Sequence, residues 1–179
     1  MSIRDNYLEI LKRKDAAAKR SGRNPKDVML MAVTKKHEPD ELKEAIDAGA
    51  TDFGENKVQE LLSKYDEVHP KRWHLIGHLQ TNKVRQIIDK VTMIHSVDSL
   101  KLAREINKRA AAADVVMDVL IEINLAEEES KTGISKGEVQ ELIESIVSEC
   151  ESVRVRVLCA FRLGQMTQRI LVNTLGRRK

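Results

Sequence analysis

Apolar and polar positions along this chain follow two alternating periods. Ile3, Tyr7, Ile10 and Leu11 recur at three-to-four-residue spacing and predict an amphipathic opening helix, ended by the turn Ser21-Gly22-Arg23-Asn24-Pro25. Short apolar runs then begin near Val28 (VMLMAVT), Thr51 (TDFGE), Arg72 (RWHLIGH), Thr92 (TMIHSV), Val115 (VVMDVLIEINL) and Val153 (VRVRVL), and each predicts a strand. Between them the apolar residues return to helical spacing: Leu42, Ala45, Ile46; Val58, Leu61, Leu62; Val84, Ile87, Ile88; Leu100, Ala103, Ile106; Val139, Leu142, Ile143, Ile146. The first five strands start about 20 to 24 residues apart, the length of one strand-helix unit, so the repeat is that of a parallel α/β protein.

Two adjacent lysines, Lys35 and Lys36, stand where the first strand should stop. Pro39, the acids Asp40, Glu41 and Glu44, and Gly49 mark the start and end of the helix that follows. In parallel α/β architectures ligands bind at the carboxyl ends of the strands. A dinucleotide-binding sheet would carry GxGxxG after its first strand, whereas this chain has Lys-Lys-His-Glu-Pro, which argues for a barrel. Strand alternation puts Lys35 on the face of Val33 and Met31, with Lys36 already in the loop. At that position burial would favour the neutral amine that attacks a carbonyl. A solvated lysine at a loop entrance is the plain alternative.

Polar residues also collect where the next strands end: Gly54-Glu55-Asn56, then His74 through His78, then His95 to Asp98, then Asn124. Asn56 and Asp98 equally suit the N-caps of the following helices. His74, between Trp73 and Leu75, taken alone reads more readily as a satisfied core histidine than as a ligand. Their gathering at one end of successive strands is what suggests a site.

Composition narrows the context. The chain has 179 residues, 41% apolar and 33% charged, which suits one globular domain with a real core. No apolar run nears the roughly 20 residues of a membrane span. The stretch from Met1 to Val28 has no apolar segment followed by a small-residue cleavage site, so a cytoplasmic location without membrane contact is expected. Cys150 and Cys159 have neither CxxC spacing nor clustered histidines, so ordinary thiols and no metal are expected. From Arg154 onward there are seven basic residues and no acid, against 24 basic and 28 acidic residues before. The basic residues are dispersed and Phe161 is the one aromatic among them, so nucleic-acid binding has little support.

The stretches AVTK (Ala32 to Lys35), AIDAGATDFGENKVQE (Ala45 to Glu60), WHLIGHLQTNK (Trp73 to Lys83), IHSVDSLKLA (Ile94 to Ala103), INLAEEESKTGI (Ile123 to Ile134) and VRVR (Val153 to Arg156) run in order over most of residues 28 to 156. Together they resemble the pyridoxal-phosphate homeostasis proteins, a family that shares the barrel fold of the alanine racemase N-terminal domain. The resemblance implies that Lys35 holds pyridoxal 5'-phosphate as a Schiff base and that Asn56 and His74 line the cofactor pocket. It implies a carrier that buffers a reactive aldehyde and serves cofactor-accepting apoenzymes, not a catalyst, and a monomer is favoured.

After VRVR the family continues with Gly-Leu-Met, two more strand-helix units and the segments that cup the phosphate. Here the chain reads VLCAFRLGQMTQRILVNTLGRRK. A one-base shift in a possible coding sequence for Val157 onward restores Gly-Leu-Met and an acidic helix start, so a frameshifted tail is expected. The expected fold is therefore α/β, a partial (β/α)8 TIM-type barrel of about six parallel strands with an N-terminal helix. Residues 1–156 would form an incomplete cofactor-binding barrel, and 157–179 an atypical basic tail, with weak cofactor retention. The alternative is a pyridoxal-dependent racemase or decarboxylase, which needs a second acid/base group beyond His74 and usually a further domain.

Overall fold

The computed structural model describes residues 2–124 and 133–161, the last five (157–161) by backbone alone. The chain divides into two compact units, Met1–His74 and Leu75–Lys179.

In the first unit, helix α1 (Ile3–Arg20) opens on a capping box in which the Ser2 hydroxyl accepts from Asp5 N–H and the Asp5 carboxylate accepts from Ser2 N–H. The Pro25–Asp27 turn is 3-10, and Lys14 Nζ donates to the carbonyls of Pro25 and Val28 at 3.0 and 3.1 Å. Those bonds commit Val28 to the turn, so strand β1 (Met31–Val33) is shorter than its apolar run suggests. Helix α2 (Pro39–Asp47) has its proline at the helix start and Gly49 just past the end at φ +99°, as the sequence predicts. Strand β2 (Asp52–Glu55), helix α3 (Val58–Tyr65) and strand β3 (Arg72–Leu75) complete this part of the chain.

The strand order is β1-β2-β3. β1 and β2 are parallel, with Met31 opposite Asp52, Ala32 opposite Phe53 and Val33 opposite Gly54. Arg72 N–H donates to the Thr51 carbonyl at 3.0 Å, which in a parallel ladder sets Arg72 beside Asp52 and His74 beside Gly54. Alternation then sorts the side chains. Phe53, Trp73, Leu42, Ala45 and Leu61 are buried in the layer between strands and helices, and each large one contributes roughly 1.5–3 kcal/mol.

The second unit begins with a 3-10 turn, Thr81–Gln86, where an α-helix was expected from Val84, Ile87 and Ile88. Val84 and Ile87 are three residues apart, a spacing that three residues per turn satisfy as well as 3.6, and both are fully buried. Strand β4 (Met93–Val97), helix α4 (Leu100–Ala112), strand β5 (Met117–Asn124), helix α5 (Val139–Glu149) and strand β6 (Val153–Phe161) follow. The three strands are parallel in the order β4-β5-β6, with irregularities between Ile94 and Val97 and between Val119 and Leu120. Ile94, Ile106, Ile121 and Ile146 are fully buried at its core.

The six expected strands and five of the six expected helices are therefore present. The backbone of β6 runs through Phe161, past the expected boundary at residue 156. The rest of the tail, 162–179, lies outside the described residues. Among the described residues no helix is long and apolar enough to cross a membrane.

Candidate functional site

Lys35 is the second residue past β1, in a turn closed by His37 N–H donating to the Thr34 carbonyl at 3.2 Å. Thr34 is buried and turns its hydroxyl to Glu55 at the end of β2, donating to its Oε2 at 2.7 Å. Its neighbours Val33 and Lys35 are exposed, Val33 at 48%, as alternation about a buried Thr34 requires. Burial of Lys35, expected from its position flush with a strand end, is not found: the strand stops at Val33, and the turn carries the amine into solvent.

Asn56 is the residue after β2. Because Val33 is opposite Gly54, Lys35 and Asn56 each lie two residues past a paired position and stand level at the carboxyl end of the two strands. Asn56 is partly buried and does not cap α3: the N-cap is Lys57, without a side-chain bond. Asn56 N–H donates to Glu55 Oε1 at 2.8 Å. At the other candidate cap, Ser99 rather than Asp98 accepts from Leu102 N–H.

His74 sits one step back from that rim, beside Gly54 and so roughly 7 Å along the strand from the level of Asn56. It is 1% exposed, and its Nε2 lies 3.1 Å from Asp52 Oδ1. Burial pushes the imidazole below its ordinary pKa, and Asp52 opposes this only in part. His74 is thus neutral near pH 7, donating from Nε2 to Asp52. Asp52 also accepts from Arg72 Nε and Nη2, the latter at 2.7 Å, and from the Thr51 hydroxyl at 2.6 Å. Burial raises the Asp52 carboxyl, but the bonds from Arg72, Thr51 and His74 outweigh it and leave the group below its usual range.

The described part of this face therefore carries an exposed primary amine, an amide level with it, a neutral histidine beneath, and a carboxylate whose charge is met by a guanidinium. An amine and a neutral amide, with no unpaired negative charge among these groups, suit an anionic aldehyde. A cavity of about 310 Å³ between α1, β1 and α2 is lined by Tyr7, Ile10, Leu30, Leu42 and Phe53 among others, and not by Lys35, Asn56 or His74.

Comparisons with known proteins decide the family. The alanine racemase N-terminal domain matches residues 10–162. The pyridoxal phosphate homeostasis protein of Aquifex aeolicus (strain VF5) is 40% identical over 169 residues, covering 93% of this chain and 71% of that protein. This chain belongs to the pyridoxal phosphate homeostasis protein family. Its relative from Escherichia coli (strain K12) is 39% identical over 163 residues, covering 88% of this chain and 69% of that protein. PipY of Synechococcus elongatus PCC7942, solved with PLP bound, is 30% identical with a TM-score of 0.71, over 86% of this chain and 72% of that one. An alanine racemase of Clostridium difficile 630 superposes with a TM-score of 0.65 at 15% identity over 86% of this chain and 39% of the racemase, a likeness of fold alone.

Within this homeostasis-family chain the sequence reading missed the groups behind the rim. Lys64, 5% exposed, reaches the Thr34 carbonyl at 2.8 Å, Glu55 Oε2 at 3.1 Å and Glu60 Oε1 at 2.8 Å. Glu60 also accepts from Lys36 N–H at 2.6 Å. A signal was available: Glu60 and Lys64 are four residues apart on one helix face, beside a strand ending in Glu55.

Proposed function

We propose that this chain binds pyridoxal 5'-phosphate at Lys35 and serves its homeostasis in the cytoplasm. It acts as a monomeric carrier that supplies cofactor-accepting apoenzymes and not as a catalyst. Family membership and the likeness to PLP-bound PipY support the reading. The observation that carries it is that Lys35 and Asn56 each come two residues after the paired Val33–Gly54 position, at the carboxyl ends of β1 and β2, with His74 beside Gly54.

The cofactor supplies an aldehyde able to condense with a primary amine. Lys35 offers that amine from an exposed turn, where a ligand reaches it without a conformational change. Asn56 offers an amide at the same level. His74, held by Asp52 in its Nε2–H form, presents no cation at the floor.

The test is titration of the purified chain with pyridoxal 5'-phosphate, followed by borohydride reduction and peptide mapping, with Lys35→Ala alongside. The expected result is a new absorbance band and a label on the peptide containing Lys35, both lost in the variant. Equal labelling of the Lys35→Ala chain would overturn the reading.

A further inference from the structure

The turn that presents Lys35 has a backbone that a lysine does not favour. Lys36, its third residue, has φ +63°, a left-handed conformation that suits glycine or asparagine. The two lysines leave that strain uncompensated within the turn, and the compensation comes from α3. Glu60 Oε1 accepts the Lys36 N–H at 2.6 Å, and Lys64 Nζ donates to the Thr34 carbonyl at 2.8 Å. These two side chains are one helical turn apart and bonded to each other at 2.8 Å. So the backbone immediately before and immediately after Lys35 is tied to the same helix face.

Glu55 extends the connection to the second strand. Its Oε2 lies 3.1 Å from Lys64 Nζ and accepts the Thr34 hydroxyl at 2.7 Å, while its Oε1 accepts the Asn56 N–H at 2.8 Å. The side chains of Glu55 and Lys64 are 0% and 6% exposed, so their bond is shielded from water and stronger than a surface pair, while Glu60, 26% exposed, meets the Lys36 N–H at the exposed turn. The Lys64 ammonium and the Lys36 N–H hold the Glu60 carboxyl below its ordinary range, which keeps it ionised and accepting at neutral pH.

We infer that Glu60, Lys64 and Glu55 are positioning residues: they fix the turn that aims Lys35 and align it with Asn56, and so set the readiness of Lys35 to capture an aldehyde. The inference rests on the reading of Lys35 as the cofactor's anchor. A stabilising ion cluster with no such role would leave the reactivity of the folded chain unchanged when Glu60 is altered. A positioning cluster makes that reactivity depend on whether residue 36 needs help to hold a positive φ.

The experiment compares the full chain with Glu60→Gln, Glu60→Ala, and Glu60→Ala combined with Lys36→Gly, each shown by circular dichroism to be folded at the working temperature. Pyridoxal 5'-phosphate affinity is read by absorbance, and labelling of Lys35 by borohydride reduction. Glu60→Gln keeps an acceptor for the Lys36 N–H and stays within about threefold of the parent, whereas Glu60→Ala weakens binding by about tenfold, equivalent to roughly 1.4 kcal/mol. Adding Lys36→Gly to Glu60→Ala restores most of that loss, because glycine adopts the conformation unaided.

Two readouts need no cofactor: hydrogen exchange at the Lys36 amide, and reductive methylation of Lys35 relative to exposed Lys12. Both should change in Glu60→Ala, the amide by about tenfold or more, and the methylation ratio should return in the double variant. If the parent never takes the cofactor at Lys35, the proposed function fails while these two still decide the clamp. A Glu60→Ala chain that matches the parent in both, or a double variant no better than Glu60→Ala, overturns the inference.

Discussion

Lys64 Nζ lies 3.1 Å from Glu55 Oε2 with both side chains withdrawn from water, 6% and 0% exposed. Removing the cation alone leaves Glu55 charged and buried, so Lys64→Met should destabilise the fold by about 3–5 kcal/mol. Removing both charges, with Glu55→Gln added, should return at least half of that, because the amide still accepts from Asn56 N–H and pairs with the Thr34 hydroxyl. Urea unfolding of the two variants measures this. A double variant less stable than the single one would show that Glu55 is not paired with Lys64 in the way the distances describe.

Phe53 and Trp73 meet edge to face across β2 and β3, with ring centroids 5.6 Å apart and planes at 77°. They are 0% and 4% exposed, and Trp73 is the only tryptophan of the chain. Phe53→Ala should cost about 3–5 kcal/mol through lost burial and the cavity left beside the indole. Trp73 reports it directly: its emission should start at the short wavelength of a buried indole, shift red on unfolding, and do so at lower urea in the variant. The indole Nε1 is buried without a hydrogen-bond partner among the described residues. Trp73→Phe therefore removes an unsatisfied donor along with area and should cost less than Phe53→Ala; a larger loss would contradict that accounting.

The strand-helix repeat was legible because each run kept one period for its whole length, and the parallel order followed from the unit length. Rim residues Lys35 and Asn56 were legible because both follow directly from apolar runs. What escaped was anything set by more than one element. The Thr81–Gln86 turn is 3-10 although its apolar spacing also fits an α-helix. The exposure of Lys35 depends on β1 stopping at Val33, where the turn from Thr34 to His37 begins and Thr34 is held by Glu55 of the next strand and Lys64 of a later helix. His74 is buried, and its partner Asp52 lies 22 residues away on the adjacent strand, a pairing that becomes visible only once register is known.

The Asp52–His74 pair fixes the sign of the acid response. Burial lowers the His74 pKa, so as the pH falls the unfolded chain takes up that proton first, near pH 6.5, and stability drops through mildly acid pH. Asp52 is also lowered, through the bonds that outweigh its burial, so its contribution persists above about pH 4 and is lost only as pH falls further. The urea midpoint should thus decline in two stages on acidification. His74→Gln, which keeps a donor for Asp52 without a titrating ring, should flatten the first stage and leave the second. An unchanged slope between about pH 7 and pH 5 would remove His74 as its source.

Gly133 is placed against the end of β5 by a bridge between Ile123 and Ile134: Asn124 N–H donates to the Ile134 carbonyl at 3.0 Å and Ile134 N–H to the Glu122 carbonyl at 2.8 Å. Its φ is +115°, and a Cβ added there would lie 2.8 Å from Asn124 N and 3.1 Å from the Ile123 carbonyl carbon. Both neighbours are backbone atoms of a core strand and cannot yield like a flexible side chain. Gly133→Ala must therefore either strain the conformation or release the bridge, at a cost of about 1–3 kcal/mol. If release is the route, hydrogen exchange at the Asn124 and Ile134 amides should quicken while amides deep in β5, such as Ile121, keep their protection. Wild-type exchange at Asn124 and Ile134 in the variant would mean that the bridge does not require glycine.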